Sequence, residues 1–289
     1  MTRAVTLQQS RNVVRGRGAV MGFGLPLAVI VLLAIFANML PLPDPNLQNL
    51  SASVLPPGLT KHDSGYHLLG TDQLGRDMLA RIIYGARLSL FVGAAAMVLG
   101  AAVGSLLGLL AGYYRGIVDI IVSRFIDAQL AIPFVLLAIA VIASNGRSLA
   151  ILILVLSLFS WAQYARVVRG ETLALRERPF VFALRASGVP DLRIVTRHLL
   201  PNQAGTILVL ATLQMGTVML AESALSFLGL GVVSPDISWG AMLADGKDVL
   251  VYAWWVAALP GLAISITVLL VNLLGDALRP VLDPKRRMY

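Results

Sequence analysis

Cysteine is absent from this 289-residue chain. Disulfides and thiolate chemistry are therefore excluded. Charge is scarce too: 13% of residues are Asp, Glu, Lys or Arg, while 57% are hydrophobic. An ordinary soluble domain is about one-quarter charged. No soluble core hides this much apolar surface, so the solvent is largely lipid. Chemistry-bearing motifs are missing as well. No Gly-x-x-x-x-Gly-Lys-Ser/Thr phosphate loop occurs, and the one Gly-Lys pair, Gly246-Lys247, runs into Asp248. No His-Glu-x-x-His or Gly-x-Ser-x-Gly stretch occurs either. The chain is thus expected to be no enzyme and to have no catalytic residues. There are three histidines, of which His62 and His67 lie near Asp63 and Asp72. Their spacing matches no structural zinc pattern, so no metal site is expected. A proton relay needs several acids or histidines within spans. Only Asp127, Glu222 and Asp276 come close, a weak basis for an ion-coupled carrier or channel.

What the sequence has instead is apolar runs. A membrane span needs about 20 mostly apolar residues. Six stretches free of Asp, Glu, Lys and Arg qualify: 18–43, 88–114, 128–146, 148–165, 198–221 and 249–275. The first is too long for a signal-peptide core and lacks a clear cleavage site, so it reads as a retained span. The third and fourth are separated by a tight turn around Asn145 and Gly146. Pro133 sits near the start of its run, where a helix tolerates proline best.

The net charge of +8 is a statement about topology and anionic lipid. The basic residues are spread over short loops, which excludes a nucleic-acid footprint. Residues 1–17 carry four arginines and no acid, and residues 166–197 carry seven arginines. The tail adds Arg279, Lys285, Arg286 and Arg287. The connections 44–87 and 222–248 are less biased, with four acids each. Both termini and the 166–197 loop are therefore predicted to face the cytoplasm. The resulting division is a basic N-terminus (1–17), a first span (18–43), an outer segment (44–87), a membrane domain (88–276) with a cytoplasmic loop at 166–202, and a tail (277–289).

Gly100, Gly104, Gly108 and Gly112 follow Ala96 at every fourth position. Such a stripe gives a helix face where another backbone comes close, within the chain or in a partner. Glu222 directly follows the fifth run. Two readings are open: it lines a cavity such as the transport pathway, or it sits at the interface if the helix ends near 221. In the loop, Pro179 is placed to start a short helix, and Gly188 supplies a left-handed stop. Pro190-Asp191 then begins a helix leading to Pro201 and the fifth span. Phe180 and Leu184 share a face, and Phe182, Leu184 and Arg185 suit docking in a groove of a soluble partner. The alternative is a solvated basic loop that only enforces topology.

Three long stretches resemble signatures of one family. HLLGTDQLGRDMLARIIYGARLSL (67–90), SALSFLGLGVVSPDISWGAML (223–243) and NLLGDALRPVLDP (272–284) are similar to those of permease subunits of ABC importers of the dipeptide/oligopeptide/nickel type. The resemblance implies an all-α membrane protein with six transmembrane helices, the transmembrane domain of a type-1 ABC importer, with both termini cytoplasmic. It implies a pathway shared with a second permease and cargo delivered by an extracytoplasmic substrate-binding protein. It also implies two cytoplasmic ATPase subunits that hold ATP and Mg, so this chain itself binds no cofactor. The stretch Phe180, Phe182, Ala183, Leu184, Arg185, Ala186, Ser187, Gly188, Asp191 and Pro201 resembles the loop that contacts an ATPase. The family usually opens that loop with Glu-Ala-Ala, where this chain has Phe182-Ala183-Leu184. Peptides are the expected cargo, with nickel or another small solute as the alternative.

Overall fold

The computed structural model describes residues 2–58, 61–62 and 65–282, with side chains from 18 to 58 and from 66 to 280. The side chains of the basic stretch 1–17, His62 and Asp63, and the tail with Lys285, Arg286 and Arg287, lie outside the described residues. The chain is helical. Helix α1 (Thr2–Ile35) is followed by an irregular segment carrying two two-residue antiparallel strands, Lys61–His62 and Gly65–Tyr66. Then come α2 (Met78–Tyr114), α3 (Gly116–Ala131), α4 (Phe134–Asn145) and α5 (Leu149–Arg176). Two short helices, α6 (Pro179–Ala186) and α7 (Asp191–Ile194), lead into α8 (Leu200–Phe227). The fold closes with α9 (Trp239–Gly246) and α10 (Trp254–Leu282).

Among the described residues, five helices are long and apolar enough to cross a membrane, or six if one bent pair counts as a span. That pair corrects the expectation of a straight third span at 128–146. The chain instead runs as α3, turns by 93° at Ile132–Pro133, and continues as α4. Composition records that a stretch is apolar, not that it keeps its direction. Proline disfavours the helical conformation at the residue before it, and Ile132 is extended, with ψ of 124°.

Helix α2 begins ten residues before its charge-free run, because its first turns carry Arg81 and Arg87. Both are satisfied internally. Arg87 spans to the end of α1, donating to the carbonyls of Ala34 and Ile35 and to Asn38 Oδ1. Cations at the C-terminus of a helix meet its unpaired carbonyls and the negative end of its dipole.

The glycine stripe lies along α5. A Cβ at Gly100 would strike Ser160 Oγ, and one at Gly104 the Trp161 carbonyl. At Gly108 it would lie 2.6 Å from the Ala165 carbonyl, and at Gly112 2.6 Å from Thr172 Cβ. Partner numbers rise together, so the two helices run parallel. In lipid, helices gain nothing from hiding apolar surface from one another, and close backbone approach supplies the van der Waals contact. A second seam joins α8 to α10, where Gly216 faces Asn272 and Gly275 faces Thr212.

Gly108→Leu would drive a side chain into the α5 backbone, which has no rotamer to retreat into. We expect a loss of roughly 3 kcal/mol or more, read as a lower melting temperature in detergent. Gly170 has nothing within 4 Å of an added Cβ. Gly170→Ala is the control, expected to be neutral or to stabilise by about 0.5–1 kcal/mol.

Candidate functional site

Helix α5 outruns its apolar stretch to Arg176, and the chain turns at Glu177. Pro179 opens α6 at a position where its missing N–H would have no partner anyway. The helix stops in a Schellman turn. The Gly188 N–H donates to the Arg185 carbonyl (2.9 Å), and the Val189 N–H to that of Leu184 (3.1 Å). Gly188 has φ of +73°, the left-handed conformation the motif requires. From Asp191 the chain winds through α7 and one wide π-turn, Val195–Leu199, into α8. Pro201 explains the widening: it offers no N–H and would crowd the carbonyl of Arg197 in a regular helix.

This folding sorts the predicted residues. Val181 is fully buried, with Ile194, Val195 and Leu199, against Leu109, Tyr113 and Val168. Phe180 (38% exposed) and Phe182 (52%) project outward, beside exposed Ala183, Ala186, Ser187 and Gly188. Leu184 and Arg185 do not join them: Leu184 packs on the buried cluster and Arg185 turns back to Tyr113. The outward face of α6 is thus narrower than the set of residues the sequence suggests, and it is centred on phenylalanine. Pro201 lies away from this face, at the start of α8.

Tyr113 is 1% exposed, and sequence reasoning passed over it. Its hydroxyl donates to Asp191 Oδ1 (2.5 Å) and accepts from Arg185 Nε (3.3 Å). The Arg185 guanidinium lies 4.8 Å from the ring centroid and that of Arg176 5.9 Å. Arg176 also donates to the Tyr113 carbonyl (2.6 Å). One tyrosine therefore touches the ends of α5, α6 and α7. Its only sequence signal is its position, one residue past the glycine stripe at the end of a span. Beside it, α3 is held to α5 by the two-pronged Asp119–Arg169 pair and by Asp127–Arg166 (3.5 Å).

The opposite end of α2 carries the GTDQLGRD stretch, residues 70–77. Asp72 accepts from the N–H groups of Leu74 (2.9 Å) and Arg76 (3.0 Å), and from Arg76 Nε (2.6 Å). Arg81 lies 3.6 Å from the same carboxylate, and both arginines reach Asp245. Asp77 does not pair with either arginine. It caps α2 through the Ala80 N–H (2.8 Å) and meets His67 Nδ1 (2.9 Å). Asp72 and Arg81 are both buried. Gly75, with φ of +70°, packs so closely on Asn49 that a Cβ would collide with its carbonyl.

Glu222 corrects an expectation. Helix α8 continues to Phe227, so Glu222 is not at a helix end. It is 3% exposed in the chain by itself, enclosed by the chain's own residues. Ser226 and Ser238 both donate to Oε1 at 2.9 Å, and Ser238 caps α9 through the Ala241 N–H. Gly240 passes so close that a Cβ would lie 2.7 Å from Oε2. The carboxylate ties α9 to α8.

The chain as a whole is similar to known proteins. The family described as binding-protein-dependent transport system inner membrane components matches residues 104–288. The chain is 40% identical to the di/tripeptide transport system permease protein DppC of Pseudomonas aeruginosa, over 93% of this chain and 88% of that one. It is 44% identical to the glutathione transport system permease protein GsiD of Pectobacterium atrosepticum, over 78% and 75% respectively. The fold is similar to that in an inward-facing structure of the MetNI methionine ABC transporter. The TM-score is 0.59 and the identity 22%, over 71% of this chain and 97% of that one. Multiple apolar helices, their packing and this degree of identity place the chain in the family of binding-protein-dependent transport system inner membrane components, as a multi-pass membrane permease subunit.

Proposed function

We propose that this chain and a second permease form the pathway of an ABC importer for di- and oligopeptides. Two separate ATPase subunits drive it, and an extracytoplasmic binding protein delivers the cargo. The observation that carries the reading is α6. It is an eight-residue helix held rigidly between two spans, burying Val181 and presenting Phe180 and Phe182 outward. An exposed aromatic pair on a fixed helix suits the helix-in-groove mode of recognition. In this reading Phe182, where the family usually has glutamate, makes an apolar contact with the ATPase. The seven arginines of 166–197 support a cytoplasmic position for that face and for both termini. The segment between α1 and α2 then lies outside, where the binding protein docks. Peptide cargo rests on the named activities of the relatives. A carrier acting without ATPases has little support, since Glu222 is enclosed by serines rather than poised in a path.

Gly188→Arg tests the coupling role. Nothing lies within 4 Å of an added Cβ there, so the change strains only the backbone. A left-handed non-glycine residue costs about 1–2 kcal/mol. We expect the chain to insert and assemble and the complex to hydrolyse ATP, while uptake of labelled dipeptide into proteoliposomes falls sharply. Normal uptake would overturn the assignment of α6. Topology has its own check. A cysteine replacing Arg178 is expected to resist an impermeant thiol reagent in intact cells and to react once the membrane is opened. Labelling from outside would invert the whole arrangement.

A further inference from the structure

We infer that Tyr113 is the positioning residue that makes the coupling loop and α2 move as one body, so that displacement at the ATPase contact enters the membrane domain through α2. The inference rests on reading α6 as that contact. The loop is joined to α5 through the chain itself, and α5 is the obvious route for motion. The side chains favour a second route. Tyr113 sits at the end of α2, remote in sequence from the loop, yet its phenol lies between Asp191 of α7 and Arg185 of α6. Both partners are of a charged type, and hydrogen bonds to charged groups are roughly twice as strong as neutral ones. The ring carries the Arg185 guanidinium over one face at 4.8 Å, a cation–π contact sheltered by burial. Arg176 of α5 binds the Tyr113 carbonyl, which ties the end of α5 into the same knot. A rotation of α6 or α7 relative to α2 would have to break these bonds together. It would leave the buried tyrosine, packed in one cluster with Val181, Ile194 and Leu199, without its hydroxyl partners.

The chain has no cysteine of its own, which makes labelling clean. Leu106 on α2 and Leu192 on α7 are exposed and lie outside the docking face. Spin labels on Leu106→Cys and Leu192→Cys, in the complete complex with its ATPases, report the distance between the two bodies. We expect that distance to stay fixed between the resting and the vanadate-trapped complex. Adding Tyr113→Phe keeps the ring and removes the hydroxyl. The distance is then expected to shift or broaden on trapping. Labelled dipeptide transported per ATP hydrolysed should fall by about tenfold, the equivalent of one charge-assisted hydrogen bond. Asp191→Ala releases the phenol from the other side and should reproduce the shift, whereas Asp191→Asn keeps an oxygen to accept from the phenol and should restore the fixed distance. A distance that changes on trapping in the unmodified loop overturns the inference. So does a Tyr113→Phe complex with lowered melting temperature but unchanged distance and transport per ATP, because the tyrosine would then be structural only. Cross-linking from Phe182→Cys to the ATPase keeps the two levels apart. If the cross-link forms while either of those two results is found, only the role of Tyr113 is lost; if no cross-link forms, the docking of α6 itself is overturned.

Discussion

The spacing between α2 and α5 is set by four glycines, and much of the molecule is mounted on that spacing. With lipid outside, apolar side chains gain little by turning inward, so the helices are held by how closely their backbones meet. Gly100, Gly104, Gly108 and Gly112 let the carbonyls of Trp161, Ala165 and Arg169 approach where a methyl group would not fit. The close seam has a geometric consequence at each end. It brings Tyr113, at the end of α2, within reach of Arg176 at the end of α5. At the other end it leaves the first turns of α2 free to carry Arg81 and Arg87 toward partners on other elements.

The polar groups follow from the same solvent. A carboxylate buried away from water is costly unless the protein itself answers it. Asp72 is answered by two amides and two arginines, Asp119 by Arg169, and Glu222 by two serines. Each of these networks also joins separate elements of the fold. Asp72 and Asp245 fasten the segment before α2 to the end of α9, Asp119 fastens α3 to α5, and Glu222 fastens α8 to α9. Trp239 and Trp255 complete the same end, donating their indole N–H groups to the carbonyls of Ile82 and Thr71. A buried ion pair is weak evidence for stability. Here the pairs specify which helices neighbour one another, a choice that lipid alone leaves open.

Sequence reasoning reached the parts of this design that depend on local backbone chemistry. Pro179 and Gly188 bracket α6 because one tolerates a missing N–H and the other a positive φ, and both properties are visible in the residues themselves. The glycine stripe was legible for the same reason, although its partner was not, since nothing in residues 100–112 names α5. What escaped was direction and pairing. The run 128–146 counts as apolar whichever way it points, so its 93° turn left no trace beyond Pro133. A charge-free criterion placed Arg81 and Arg87 outside the second span, because the carboxylates and carbonyls that neutralise them lie elsewhere in the chain. The helix-end reading of Glu222 failed because the donors that make its burial tolerable include Ser238, sixteen residues on. Tyr113 was missed because a tyrosine at a span end reads as an interfacial anchor, and its partners are more than seventy residues away.

These elements combine into a mechanical unit. Helix α2 has 37 residues, and an unbroken helix of that length spans about 55 Å. The seam with α5 resists bending along its middle. The Asp72, Arg76, Arg81 and Asp245 network grips one end, and the Tyr113 cluster grips the other. Close-packed interiors transmit displacement instead of absorbing it, because they have few voids into which side chains can relax. A rod held in this way carries a small rotation at the loop to the segment before α2 with little loss, whereas the bent α3–α4 pair offers no straight path. On the proposed role of Tyr113, the exposed loop helix and the irregular segment at the far end, unrelated in sequence and opposite in the bundle, act as two ends of one rigid body. That is the mechanical requirement for a site at one membrane face to answer an event at the other.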